Sequence, residues 1–183
     1  MKIRSSLRLL LALTVIYAAA AAASVDRATA RPSRIACGVE RWTVKTLQDR
    51  PALRPARFTT IHFLVTRPAP SDLPATRLPF EHNVYTLDAA VTLVRPEADG
   101  DFHVLLRSGN DQMLAEAPMP TCTVGADVRY RQAMALARGL VHVCALARIT
   151  GVAFFDFQHG QTGVAPNAIE LHPILGFHCL HRF

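Results

Sequence analysis

The clearest alternation in the chain runs from Val84 to Val94 (VYTLDAAVTLV). Tyr85, Leu87, Ala89, Val91 and Leu93 fall on one parity, and Thr86, Asp88 and Thr92 on the other. A two-residue period of this kind predicts a strand with one buried face. PEADGD (96–101) carries an Asp-Gly turn signal, and FHVLLR (102–107) returns as a second strand. SGND (108–111) turns again, and QMLAEA (112–117) makes a third strand. DVRYRQAMALARG (127–139) switches to a helical period: Asp127 caps it, Tyr130, Met134 and Ala137 share a face, and Gly139 can close it. Runs at 143–156 and 168–177 predict a fourth and a fifth strand.

A three-strand meander, a helix and a closing hairpin is the element order of an OB-type barrel. The predicted fold class is mainly β with one helix: an OB-like five-stranded Greek-key barrel over 80–183, with an N-terminal extension. Some other small β-barrel would suit the same short strands. The extension, 37–79, is proline-rich and mostly connecting chain, because proline removes ladder donors and restricts its predecessor. Within it CGVERWTVKTLQD (37–49) has strand-like content, with Trp42 and Val44 on one parity, and one short element is expected at 59–65.

The first residues read as an address. Lys2, Arg4 and Arg8 precede the unbroken apolar run 9–23, and Ala21 and Ala23 supply small residues for cleavage before Ser24. The run falls short of the roughly 20 apolar residues that span a bilayer. A signal peptide over 1–23, a mobile leader over 24–36 and a single domain from 37 are therefore expected. The implied location is secreted, periplasmic or cell envelope, with no membrane anchor after cleavage.

Removing the signal lowers 20 basic residues to 17 against 14 acidic, a surplus of +3 in place of +6. So small an excess gives no strong nucleic-acid signal. Cys37, Cys122, Cys144 and Cys179 are an even set in an exported chain, and no C-x-x-C pair suggests zinc, so two disulfides are expected. Laying the last two strands antiparallel by polarity sets Ala153 opposite Glu170, Val152 opposite Leu171, Phe154 opposite Ile169 and Gly151 opposite His172. The same register places Cys144 opposite Cys179 and leaves Cys37 for Cys122. A single bulge would shift it.

Chemistry concentrates in FFDFQHGQTGVAPNAIELHPIL (154–175). Asp156, His159, Gln161, Asn167, Glu170 and His172 are the candidate ligand-binding residues. The competing reading is that Asp156, His159 and Asn167 bond to loop backbone, as short polar side chains do in turns. Asp101 with His103, and Glu170 with His172, are i, i+2 pairs that each share a strand face. With His159 they make a candidate divalent-metal set of carboxylates and imidazoles. The second and fifth strands are not neighbours in an OB barrel, so nothing in the pattern brings the two pairs together. There is no G-x-S-x-G elbow, P-loop or dinucleotide fingerprint, and no catalytic residue is assigned. No cofactor is expected beyond that possible divalent metal.

Three segments, E-R-W-x-V-K-T at Glu40 to Thr46, D-G-D-x-H at Asp99 to His103 and F-F-D-F-x-H-G-Q-x-G-x-A-P-N-x-I-E-L-H-P at Phe154 to Pro173, carry a resemblance. The chain resembles a family of exported bacterial proteins of uncharacterised function that share these motifs. The resemblance implies a common fold and export, and no activity. Thermonucleases share the OB fold, but their Arg-and-carboxylate pattern has no match here. The leading functional expectation is an extracytoplasmic ligand-binding OB-like module for a ligand not identified by the sequence. The alternative is a divalent-metal-dependent hydrolase, acting on phosphodiesters or similar bonds. A structural or interaction role at the cell surface is a third.

Overall fold

The computed structural model describes residues 37–158 and 160–183. The expected signal peptide and leader lie outside the described residues, as does His159.

The N-terminal extension contributes α1 (Trp42–Lys45), a two-residue strand β1 (Arg57–Phe58) and α2 (Ile61–Val65). The barrel strands are β2 (Val84–Pro96), β3 (Phe102–Ser108), β4 (Asp111–Ala117), β5 (Cys144–Phe155) and β6 (Ile169–His181), with α3 (Val128–Leu140) between β4 and β5. The order across the sheet is β1-β2-β3-β4-β6-β5, and β5 pairs back onto β2 to close the barrel. All neighbours in the closed wall are antiparallel except β4 with β6. This is the OB-type Greek key, with β1 added parallel to β2 at Arg57–Tyr85 and Phe58–Thr86. No helix among the described residues is long and apolar enough to cross a membrane.

Parity decides what each side of the wall does. Tyr85, Leu87, Ala89, Val91, Val104, Leu106, Met113, Ala115, Ala147, Ile149, Ala153, Phe155, Ile169 and Leu171 belong to one continuous buried cluster, the barrel core. The opposite parity carries exposed groups such as Asp88, Arg107 and Arg148, and is therefore the outer face. Asp127 Oδ1 accepts from the Arg129 amide at 3.0 Å and caps α3, whose Met134 and Ala137 are buried. The helix runs past Gly139 and ends before Val141, so glycine does not close it.

Within the N-terminal extension one expectation is corrected. The segment 37–49 is not a strand: α1 and the turns after it form instead, and the buried residues Val44 and Leu47 follow a helical i, i+3 spacing. Trp42 and Val44 share a parity only by coincidence. The short element within 59–65 is α2, capped by Thr60 Oγ1, which accepts from the Phe63 amide at 3.1 Å.

The closing hairpin is also one residue out of the expected register. Ala153 pairs with Leu171, Phe154 with Glu170, Phe155 with Ile169 and Gly151 with Ile174. Phe155 and Ala153, not Phe154 and Val152, face the core. Irregularities around Gly151 then shift the ladder further, so that Ala147 pairs with Cys179. The Cys144–Cys179 and Cys37–Cys122 bridges both form, with Cα separations of 6.0 and 5.6 Å.

Candidate functional site

The outer face of β3, β4 and β6 holds a run of ionisable side chains. His103 on β3 pairs across the ladder with Glu116 on β4. Leu114 on β4 pairs with Glu170 on β6, so two residues further along the parallel pair Glu116 draws level with His172. Asp101 enters from the turn before β3, and Asp156 from the end of β5. The D-x-H and E-x-H pairs therefore do converge. β4 lies between their strands, and its one carboxylate bridges them.

Glu116 sits between the two imidazoles: Oε1 is 3.5 Å from His103 Nδ1, and Oε2 is 3.3 Å from His172 Nδ1. His172 Nδ1 also lies 3.1 Å from Glu170 Oε1, while its Nε2 lies 3.3 Å from Asp101 Oδ2. His103 Nε2 is 3.2 Å from the Thr162 carbonyl and donates to it, so its Nδ1 turns to Glu116 and Glu97. Asp101 Oδ1 accepts from the Met119 amide at 3.2 Å.

Although this face is outward, it is dry. Asp101, His103 and His172 are fully buried, and Glu116 and Glu170 nearly so. Two covers account for it. The loop after β5 lies across β3 and β4, where Gly163 (φ 94°) rests directly on Leu105 and Leu114. The α1 segment covers β5: Lys45 Nζ donates to Asp156 Oδ2 at 2.8 Å, and the Arg41 guanidinium stacks 4.7 Å from the Phe154 ring. Phe154 in turn meets His172 edge-on at 5.8 Å.

The charges shift accordingly. Burial works against the His172 cation, but the carboxylates of Asp101 and Glu170, with Glu116 beside them, push its pKa up to about 10. Burial and the neighbouring Glu116 push the Glu170 carboxyl up to about 7 against the opposing pull of His172 and Lys45. The Glu116 carboxylate beside its Nδ1 raises His103 above the ordinary imidazole range despite burial. Burial disfavours a charged Lys45, yet Glu170 and Asp156 hold it protonated, well above the usual lysine range.

Above this cluster opens a cavity of about 320 Å³, lined by Glu40, Lys45, Glu97, Ala98, Asp99, Glu116, Asp156 and Gln161. Asp156 and Gln161 thus face it as candidates, with Glu170 and His172 beneath. Asn167 takes the scaffold role: its Nδ2 donates to the Leu64 and Arg67 carbonyls at 2.9 and 3.0 Å. Sequence reasoning missed Glu116, Lys45, Glu97 and Asp99. A signal for Glu116 existed, because the Gly109–Asn110 turn sets Ser108 opposite Asp111 and, counting back, His103 opposite Glu116.

Three groups offer ligand atoms within 4.8 Å of one another: Asp101, Glu116 and His172. Of the expected metal set, Glu170 adjoins this trio through its hydrogen bond to His172, and His103 through the 3.5 Å approach of its Nδ1 to Glu116.

No protein-family model and no curated protein matches the chain. Among solved structures, one described as an aspartyl-tRNA synthetase from Leishmania major Friedlin is similar over 69% of this chain and 21% of its own, at 13% identity and a TM-score of 0.47. An asparaginyl-tRNA synthetase of Entamoeba histolytica matches 71% of this chain and 25% of its own, at 11% identity and a TM-score of 0.41. The aspartyl-tRNA synthetase of the same organism matches 73% and 27%, at 14% identity and 0.41. The chain spans about a quarter of the length of these proteins. So distant a likeness carries no argument about ligand or activity, and the barrel is assigned on its own strand order.

Proposed function

We propose that the chain is an extracytoplasmic binding module whose outer-face cavity takes a small cationic polar ligand, such as an amine or a guanidinium. One observation carries the reading. Glu97, Asp99, Glu116 and Asp156 line the cavity, and Lys45, already paired with Asp156, is the one lysine or arginine among its described lining residues. A low-dielectric concavity of one sign concentrates the opposite charge. The volume is at the lower end for small-molecule sites. A nucleic-acid backbone has the wrong sign for this surface. The two disulfides support an oxidising, extracytoplasmic location.

Calorimetric titration with spermidine and arginine amide, beside a neutral oligosaccharide and a single-stranded oligonucleotide, tests it. Cation binding that weakens with salt and falls in a Glu97→Gln/Asp99→Asn double variant is expected. Binding of the neutral sugar alone, unchanged in that variant, overturns the reading.

The divalent-metal-dependent hydrolase is the second reading, favoured by the convergence of Asp101, Glu116 and His172. A phosphodiester would need a cation to enter so acidic a site. Metal-dependent cleavage of an activated phosphodiester, lost in Glu116→Gln, would replace the first reading with this one.

A further inference from the structure

We infer that Asp101, Glu116 and His172 form a mononuclear centre for a divalent first-row transition cation, buried against the outer wall of the barrel. The inference goes beyond the cavity reading and does not depend on it, because Asp101 and His172 lie beneath the cavity and outside its lining.

Two orphaned atoms point to an ion between them. Asp101 Oδ2 and His172 Nε2 are fully buried, and neither has a hydrogen-bond partner. Leaving such atoms unsatisfied forfeits their solvation with nothing in return, and most heavily for charged groups. They face each other at 3.3 Å without hydrogen-bond geometry. Two ligands about 2.1 Å from one cation at a tetrahedral angle stand about 3.4 Å apart, so the separation is that of two donors sharing an ion.

The rest of the cluster fits the same assignment. His172 Nδ1 is engaged by Glu170 Oε1 at 3.1 Å, which leaves Nε2, beside Asp101, as the nitrogen to meet the ion. A carboxylate behind a ligating imidazole is the usual outer support of a metal-bound histidine. Glu116 completes the donors and is the one of the three that also lines the cavity, which gives the ion a route in. One imidazole and two carboxylates suit zinc, manganese or iron(II) rather than the soft cations that thiolates select. Both histidine nitrogens face carboxylates, so the ion takes the place of an imidazolium proton, which leaves to solvent as the ion binds.

The test uses the purified protein after chelator treatment. Zn²⁺ is titrated in, the bound metal is counted by elemental analysis after gel filtration, and melting is followed in parallel. Co²⁺ serves as a spectroscopic probe. One ion per chain is expected, with a raised melting temperature and the visible absorption of a nitrogen- and oxygen-ligated cobalt site. Asp101→Asn and Glu116→Gln, which keep side-chain shape, should lose stoichiometric uptake while still melting cooperatively without metal. Glu170→Gln should weaken binding about 10- to 100-fold. Asp88→Asn, exposed on β2 and paired with Arg148, should keep full uptake. No uptake by the folded protein overturns the assignment, and so does undiminished uptake in both Asp101→Asn and Glu116→Gln. Titrating spermidine into the same chelator-treated protein reports on the cavity reading separately.

Discussion

The guanidinium of Arg41 meets the carboxylate of Glu81 edge to edge, with Nη1 donating to Oε1 and Nη2 to Oε2, each at 2.7 Å. Both side chains are sealed from solvent. Arg41 also donates to the carbonyls of Phe155, Pro74 and Thr76, while Glu81 accepts from the amides of Phe155 and Leu78. One ion pair thereby ties three pieces of chain together: the α1 cover, the proline-rich connection and the end of β5 beside the polar cluster.

Removing one member leaves the other charged, buried and alone. Glu81→Ala should therefore cost about 3–5 kcal/mol. It also strips two amides of their acceptor, so replacing both members by apolar residues should not restore full stability. Urea unfolding followed by intrinsic fluorescence measures both. A loss under about 1 kcal/mol for Glu81→Ala would mean that the pair does not anchor the cover.

The barrel and the chemistry were legible in the sequence to different degrees. β2, β3, β4 and α3 were readable because local signals agree there: alternation, the Asp-Gly and Gly-Asn turns and an Asp cap. The outward parity of Glu170 and His172 was readable for the same reason. Their burial was not, because it is imposed from far along the chain by Lys45, Arg41 and Gly163. The hairpin register was already one residue out at Phe155–Ile169, and irregular pairing around Gly151 shifted it further without leaving a trace in polarity. The site looked divided between two strands because Glu116, lone in an Ala-Glu-Ala run, reads as an ordinary solvated strand residue.

Gly163 and Gly160 both hold positive φ, at 94° and 71°, yet only Gly163 is enclosed. A methyl group there would collide with Leu105, whereas at Gly160 it meets open space. Gly160→Ala should cost only its backbone strain, about 1 kcal/mol. Gly163→Ala should cost about 1–3 kcal/mol more and lift the loop from His103. Thermal melts rank the two, and hydrogen exchange at 160–166 reports the lifting. Equal costs would show that the loop is not packed on the wall.

The disulfides close loops of unequal length, 85 residues for Cys37–Cys122 and 35 for Cys144–Cys179. Chain-entropy arguments assign each about 4–5 kcal/mol, with the longer loop worth slightly more. Their local effects differ more. Cys37 precedes the α1 cover, so Cys37→Ser/Cys122→Ser should expose the polar cluster as well as lower stability. Cys144→Ser/Cys179→Ser should lower stability with the cluster still covered. Non-reducing peptide mapping checks the pairing, and amide exchange over 41–47 separates the two variants. Equal protection of that segment in both would remove the link between the first bridge and the cover.

The last prediction follows from the direction in which the buried cluster titrates. His172 is faced by Asp101 before β3, Glu116 on β4, Glu170 on its own strand and the Phe154 ring on β5. These carboxylates raise its pKa from 6.5 to about 10 against the effect of burial. Between those values the folded metal-free protein keeps a proton that the unfolded chain releases. The stabilisation is complete below pH 6.5, declines as pH rises, and is gone above about 10. Glu170, raised by burial and Glu116 from 4.5 to about 7, adds a decline of the same sign over that lower window. Metal-free protein should therefore lose stability steadily from mildly acidic to alkaline pH, by up to about 1.4 kcal/mol per pH unit for each such group. Melts in chelator across that range measure the slope. His172→Gln should flatten the part between pH 7 and 10, leaving only the decline contributed by the raised His103 imidazole; an unchanged slope in that variant would place the titrating group elsewhere.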